Sequence, residues 1–312
     1  MIYTITLNPA IDQLLFVKED VQKRKTNRIV KTSWDCGGKG LHVSGVLSKF
    51  GVPNEALGFI GSQNKEQLYR ILAEKRISHD FLMEDGVATR TSFVIISETS
   101  SGSIMMPEAG FHVSMANKQA MLAQIREKVT PNDMVVIAGS PPPGFTLADF
   151  EVLLKTLQDT GCFVGCDVSG DFLQLAAKRG VDFIKPNEDE IKALLADETA
   201  DLEVAIRQLA KQIRYLVVSL GKDGSYCAHN GKLYRVTAPQ VAEKSDTGAG
   251  DCFVGAFIAG LAKQLPLSEV LKRATGCSAS KVMHADSSTF SLVEAEILQE
   301  QVEIKEMSAD VI

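Results

Sequence analysis

Ser245-Asp246-Thr247-Gly248-Ala249-Gly250-Asp251 runs directly into Cys252-Phe253-Val254-Gly255-Ala256-Phe257. Apolar residues recur at Phe253, Val254, Phe257, Ile258 and Leu261, the spacing of one helical face, so the turn is expected to open a helix. The first N–H groups of a helix have no intrahelical acceptor, and the helix dipole adds positive charge behind them. A Gly-rich turn at that position is an anion site. Asp251 falls in the first helical turn, beside whatever anion the turn holds. It reads either as a base toward a hydroxyl attacking a bound phosphate, or as a carboxylate that only complements the helix dipole.

Outward from this turn the chain alternates short apolar runs with helical periods. Ile2 to Leu7 is a β-rich opening stopped by Asn8-Pro9, and Cys36-Gly37-Gly38-Lys39-Gly40 leads into a helical period from Leu41 to Phe50. Met134 to Ala138, Phe163 to Asp167, Phe183-Ile184 and Leu216 to Leu220 read as buried strands separated by helices. This pattern predicts an α/β protein with a mostly parallel sheet covered on both faces. Ligands of such sheets bind beyond the carboxyl ends of the strands. Asn8 to Asp12, Gly139-Ser140, Asp167, Lys185-Pro186-Asn187 and Gly221 all follow strands, and are expected to share one rim with the Gly248 turn. Neither a GxxxxGK[ST] loop nor an early strand-linked GxGxxG occurs, so a phosphate would be held by the late Gly-Ala-Gly turn. Two further segments, Ile11 to Trp34 and Val87 to Met106, are strand-rich insertions, and from Glu303 the sequence turns polar and is expected to fray.

The 312 residues show no repeat or composition break, so 1–312 reads as one domain. A hydrophobic content of 45% supplies a sizeable core, and a net charge of −6 argues against nucleic acid as a partner. No apolar run approaches a membrane span and the start is no signal peptide, so no membrane partner and a cytoplasmic location are expected. The scattered cysteines suggest reduced, buried thiols.

Taken together, these stretches resemble the ribokinase-like, phosphofructokinase-B family of carbohydrate kinases over essentially the whole chain. The signatures follow the family's order: Thr6-Leu7-Asn8-Pro9-Ala10-Ile11-Asp12 with Gly37-Gly38-Lys39-Gly40, then Ala138-Gly139-Ser140 with Pro142-Pro143-Gly144, then Lys185-Pro186-Asn187-Glu188-Asp189-Glu190, and lastly Asp246 to Asp251. The opening is similar to the 1-phosphofructokinase and tagatose-6-phosphate kinase subgroup. The resemblance implies a ribokinase-like three-layer α/β/α sandwich with a mostly parallel central sheet. It also implies a small β-sheet lid from about 12–35 and 87–107, whose exposed edges give a motive for a homodimer.

By resemblance, Asp251 is the catalytic base and Gly248, Ala249 and Gly250 form the anion hole for a phosphoryl group passing from ATP with Mg²⁺. Asp12, Gly38 and Lys39 match sugar-binding positions. Arg90 and Ser140 match binders of a substrate phosphate, with Lys25 and Arg28 as additional candidates reaching across a dimer. Lys185, Asn187, Ser219, Gly221, Gly224, Thr247 and Ser278 match the nucleotide side, and Glu190 the magnesium position, acting through water. His42 stands where the family has a sugar-contacting asparagine. Ser103 to Gly110 and Asp286-Ser287-Ser288 also depart from the family pattern, the latter without explanation. The implied activity is phosphorylation of a small-molecule sugar phosphate, fructose 1-phosphate to fructose 1,6-bisphosphate. Tagatose 6-phosphate to tagatose 1,6-bisphosphate is the alternative, and a non-catalytic sugar-phosphate sensor is the reading from another class.

Overall fold

The computed structural model describes residues 1–195 and 201–308. Its strands in chain order are β1 (Ile2–Thr6), β2 (Ala10–Val17), β3 (Ile29–Gly37), β4 (Asn54–Gly61), β5 (His79–Glu84), β6 (Arg90–Ser97), β7 (Ser103–Pro107), β8 (Met134–Ala138), β9 (Phe163–Asp167), β10 (Phe183–Ile184), β11 (Tyr215–Ser219), β12 (Ser225–His229), β13 (Lys232–Val236) and β14 (Ile304–Met307). The helices are α1 (Lys39–Lys49), α2 (Lys65–Glu74), α3 (Met115–Lys128), α4 (Leu147–Thr160), α5 (Gly170–Arg179), α6 (Glu188–Leu195), α7 (Leu202–Leu209), α8 (Ala249–Ala262), α9 (Leu267–Val282) and α10 (Leu292–Gln299).

A ten-stranded sheet runs β14-β13-β12-β11-β10-β9-β8-β1-β4-β5, parallel from β11 through β5 and antiparallel from β11 to β14. Every residue of β1 is buried, as a central parallel strand covered on both faces requires. Tyr3 and Ile5 join a core with Met121, Ile125, Phe150, Leu154 and Leu173 from α3, α4 and α5. Ile2 points the other way, into a core with Val43, Leu47, Val254, Phe257 and Leu271 from α1, α8 and α9. The expected three-layer α/β/α arrangement is therefore present.

A second sheet, ordered β3-β2-β6-β7, contains the two strand-rich insertions. β2 and β6 run parallel, and the outer strands pair antiparallel. Burial along β6 alternates, so one face packs inward through Leu14, Val94 and Ile96. On the other face Trp34, Gln13, Phe93 and Met106 stand in register, and so do Thr32, Leu15, Ile95 and Ile104.

Two differences from the sequence reading have clear causes. The polar tail does not fray through 304–307: β14 adds to the sheet edge, because ladder hydrogen bonds come from the backbone and tolerate polar side chains. Residues 309–312 of that expected tail lie outside the described residues. The β12–β13 hairpin turns at Asn230-Gly231, both at positive φ (50° and 75°), the local signal of a type I′ turn. All six cysteines are buried and unpaired. Among the described residues no helix is long and apolar enough to cross a membrane.

Candidate active site

Gly248 caps α8 in the left-handed region (φ 82°), and a Cβ there would collide with the Ser287 carbonyl oxygen. Only glycine fits, both for its backbone and for the close approach. Asp251, in the first turn of α8, is 5% exposed. His42 of α1 meets it, Nδ1 lying 2.7 Å from Asp251 Oδ2. The other ring nitrogen, Nε2, lies 3.0 Å from the Cys36 carbonyl oxygen. A carbonyl only accepts, so Nε2 carries a proton; the carboxylate at Nδ1 then favours a second proton and an imidazolium. Burial opposes that charge, but the hydrogen bond and charge of Asp251, followed by Asp12 and Asp35, raise the His42 pKa to about 9. Both ring nitrogens of His42, at the position of the family's sugar-contacting asparagine, thus have protein partners, Asp251 and the Cys36 carbonyl.

Asp12 of β2 stands opposite Asp35 of β3, and both are buried. A Cβ on Gly37 would collide with Asp12 Oδ1, so the glycine pair of the motif admits this carboxylate. Gly38 follows as the N-cap of α1. Asp35 is compensated by Lys75 at 2.8 Å and by the Ser288 hydroxyl, while among the described residues the Asp12 carboxylate accepts only a long bond of 3.4 Å from Ser287 Oγ. Burial, with the Asp35 charge adding, lifts the Asp12 pKa to about 6 against the pull of His42 and Arg90. An ionised but under-bonded carboxylate is suited to accept from sugar hydroxyls. The unexplained Asp286-Ser287-Ser288 stretch thereby acquires a role: it ties Asp12, Asp35 and the Gly248 turn together.

Arg90 spends Nε and Nη2 on the Asn8 carbonyl oxygen (3.2 and 2.9 Å) and Nη1 on that of Glu108 (3.1 Å). A guanidinium has five N–H donors, so two remain for an anion. Asn8 also donates through Nδ2 to Ala109 O at 3.0 Å, which makes the Asn8-Pro9 turn the organiser of this side. Ser140 is exposed after β8. Lys25 and Arg28 are exposed between β2 and β3, apart from the strands that carry the other site residues.

On the far side of the Gly248 turn lies a cavity of about 420 Å³, lined among others by Lys185, Ser219, Gly221, Gly224 and Ser278. A Cβ on Gly250 would come within 3.3 Å of Lys185 Nζ, so the turn and the lysine face one space. Asp167, at the end of β9 and 3% exposed, stands between Lys39 Nζ (3.1 Å) and Lys185 Nζ (3.8 Å). Burial raises its pKa, yet Lys185 and Lys39 together hold it below the usual carboxylate range. The charge of Asp167 in turn raises Lys39. Thr247 Oγ1 meets Ser103 Oγ of β7 at 3.2 Å, linking the turn to the small sheet. Asn187 and Glu190 cap α6 reciprocally: Asn187 N–H donates to Glu190 Oε2 (2.9 Å), and Glu190 N–H to Asn187 Oδ1 (2.8 Å).

Sequence reasoning placed Asp167 on the rim without assigning it to the site, and missed Thr275. Thr275 is among the residues lining the cavity, and its hydroxyl is buried without a hydrogen-bond partner among the described residues. A buried hydroxyl left unpaired costs free energy. A helical position carries no sign of that in the sequence.

Residues 5–294 match the pfkB family carbohydrate kinase. The chain is 28% identical over 314 residues to the tagatose-6-phosphate kinase of Staphylococcus epidermidis, covering 98% of this chain and 100% of that one. It is 30% identical over 276 residues to the 1-phosphofructokinase of Bacillus subtilis, covering 87% and 89% of the two chains. The crystal structure of Escherichia coli phosphofructokinase-2 with fructose-6-phosphate superposes with a TM-score of 0.89 at 24% identity, covering 96% of this chain and 98% of that one. Thermotoga maritima ribokinase shares the fold at a TM-score of 0.76 and 19% identity, covering 96% and 99%. With the ordered motifs, the Gly248 turn and this coverage in agreement, the chain belongs to the pfkB family of carbohydrate kinases.

Proposed function

We propose that the protein transfers the γ-phosphoryl group of ATP to a ketohexose phosphate, with fructose 1-phosphate as acceptor and fructose 1,6-bisphosphate as product. One observation carries the reading. Asp251 lies buried between an acceptor side built on Asp12 and a cavity lined by Lys185, with the Gly248 turn at its own helix start. The acceptor hydroxyl oxygen attacks the γ-phosphorus while Asp251 takes its proton. The new O–P bond forms as the bond from phosphorus to the β,γ-bridging oxygen breaks, and ADP leaves with that electron pair. Backbone N–H groups of the turn, with Lys185, face the charge that develops on the transferring group.

Magnesium, when bound, neutralises charge on the β- and γ-phosphate oxygens. Among the described residues no group of three or more His, Cys, Asp and Glu side chains assembles as a cage. That fits an ion held mostly by water and phosphate, and Glu190 Oε1, which the helix cap leaves free, is the side-chain oxygen offered to its water shell.

A second reading, tagatose 6-phosphate to tagatose 1,6-bisphosphate, is favoured by the likeness to the S. epidermidis enzyme over 98% of the chain. The test is ADP release measured across a panel of ketohexose phosphates. The largest kcat/KM names the acceptor, and absence of turnover with all of them would leave a sugar-phosphate sensor.

We place the acceptor's phosphate at the free donors of Arg90, with Ser140 beside it. Arg90→Ala is expected to raise the KM for the sugar phosphate by about tenfold or more, the worth of a charged hydrogen bond, with the KM for ATP unchanged. A change confined to ATP would remove Arg90 from the phosphate site.

The small sheet we read as a lid whose outer face pairs with that of a second copy. Trp34, Ile104 and Met106 on this face are 47%, 49% and 49% exposed, an apolar surface that association would cover. Lys25 and Arg28 would then approach the partner's acceptor site. Light scattering is expected to show a dimer for the wild type and a monomer for Ile104→Glu. A monomeric wild type, or a variant that stays dimeric, would move the interface elsewhere.

A further inference from the structure

Lys281, near the end of α9, is a lysine with no exposed surface. Among the described residues no carboxylate lies within ion-pair distance of its ammonium, which donates to two backbone carbonyls, Ser245 O at 3.0 Å and His284 O at 3.1 Å. Burial pushes its pKa below the usual lysine value, against the pull of Asp286, Asp246 and Asp251. A cation taken from water without a paired anion costs several kcal/mol, and an apolar side chain of similar volume would avoid that cost.

The two carbonyls locate its use. Ser245 begins the turn that ends at Gly248, and Lys244 and Ser245 both donate through their backbone N–H to Val282 O (2.8 and 3.2 Å). His284 begins the loop whose Ser287 carbonyl packs on Gly248 and whose Ser287 hydroxyl reaches Asp12. Lys281 Cε itself comes within 3.5 Å of where a Cβ on Gly248 would stand. The ammonium therefore clasps the loops on either side of the anion turn.

We propose that Lys281 is an internal cation of the phosphoryl-transfer site, fixing the Gly248–Gly250 turn and adding positive charge behind the N–H groups that face the transferring phosphoryl group. This rests on the kinase reading above. Lys281 does not touch the substrates and is a positioning residue. Its charge acts in a buried, low-dielectric setting, where a fixed cation has more effect on developing charge than it would in water.

The test uses the full chain with Lys281→Met, which keeps the stem, and Lys281→Ala, which opens a space lined by the two carbonyls. Folding is followed by thermal unfolding, and kcat and KM are measured for both substrates. Lys281→Met is expected to lower kcat by about a hundredfold, the usual effect of removing one fixed electrostatic partner, with KM values within about threefold. Methylammonium is expected to restore Lys281→Ala by about tenfold or more, whereas tetramethylammonium at equal ionic strength, having no N–H to donate, does not. A kcat for Lys281→Met within about threefold of wild type overturns the proposal, as does a folded Lys281→Ala that ignores methylammonium. If Lys281→Met does not fold, Lys281→Ala with methylammonium decides; if neither folds, the lysine is structural and the proposal fails.

Wild-type turnover separates this outcome from failure of the kinase reading. If the wild type phosphorylates no sugar phosphate, calorimetric binding of ADP–fluoroaluminate against ADP alone takes the place of kcat. Selective weakening of the fluoroaluminate complex in Lys281→Met supports the role, and equal weakening of both overturns it.

Discussion

Asp251→Asn is expected to lower kcat by about 10³-fold and to leave both KM values within about threefold, the pattern of a lost general base. The substitution is nearly isosteric. The amide that replaces the carboxylate can still accept from His42 Nδ1 and occupy the first turn of α8, so the Gly248 turn and the cavity keep their shape. What disappears is a group able to take the hydroxyl proton while the other oxygen stays on His42. ATP binding by calorimetry should match the wild type, because none of the cavity's lining residues changes. Turnover close to wild type would assign the proton elsewhere and leave Asp251 as a helix-dipole residue.

The largest effect on stability is expected at His42. In the His42–Asp251 pair both side chains are 8% exposed, so solvent screens it little. Removing one member of a buried pair strands the other, and His42→Ala should cost about 3 kcal/mol in a denaturant titration. The pair also sets a pH dependence. The folded pKa of His42, about 9, lies above its ordinary value of 6.5. Its stabilisation is thus fully present below about pH 6.5 and is lost as pH rises through about 9. Asp12, raised to about 6 by burial, exerts its effect at lower pH and leaves this window to His42. The other charged groups near the ring, Asp35 with its partner Lys75, do not alter the sign. The wild-type unfolding temperature should therefore fall between pH 6.5 and 9, and His42→Asn should lack that fall while remaining folded, since an amide can still donate to Asp251. An identical slope in both proteins would mean that His42 is not charged in the folded state.

Much of the fold was open to reading because its signals are local. A Gly-rich turn followed by apolar residues at helical spacing announces α8, and apolar runs of strand length announce β8, β9 and β11. Asn230-Gly231 carried an equally local signal that the reading overlooked, whereas the polar β14 carried none, because pairing with β13 decides it. At the site the motifs supplied residue types and chain order, enough to single out Asp12, the Gly248 turn, Asp251 and Lys185, and through resemblance the family.

The partners were another matter. His42 and Asp251 are 209 positions apart and meet only because α1 and α8 pack side by side on one face of the sheet. Asp167, at the end of β9, gains Lys185 from the end of the neighbouring β10 and Lys39 from the start of α1. Arg90 finds the Asn8 carbonyl because β2 and β6 pair in register from Ala10 and Arg90 onward. Lys281 reads in sequence as an ordinary lysine at a helix end; burial and two converging loops make it a charge beneath the anion turn. The sequence by itself determined the elements and the chemical groups, since backbone preference and side-chain type are properties of the residue and its neighbours in the chain. Which charge faces which, and therefore what state each group holds, was decided by the tertiary structure, because burial and Coulomb interaction depend on distance in space.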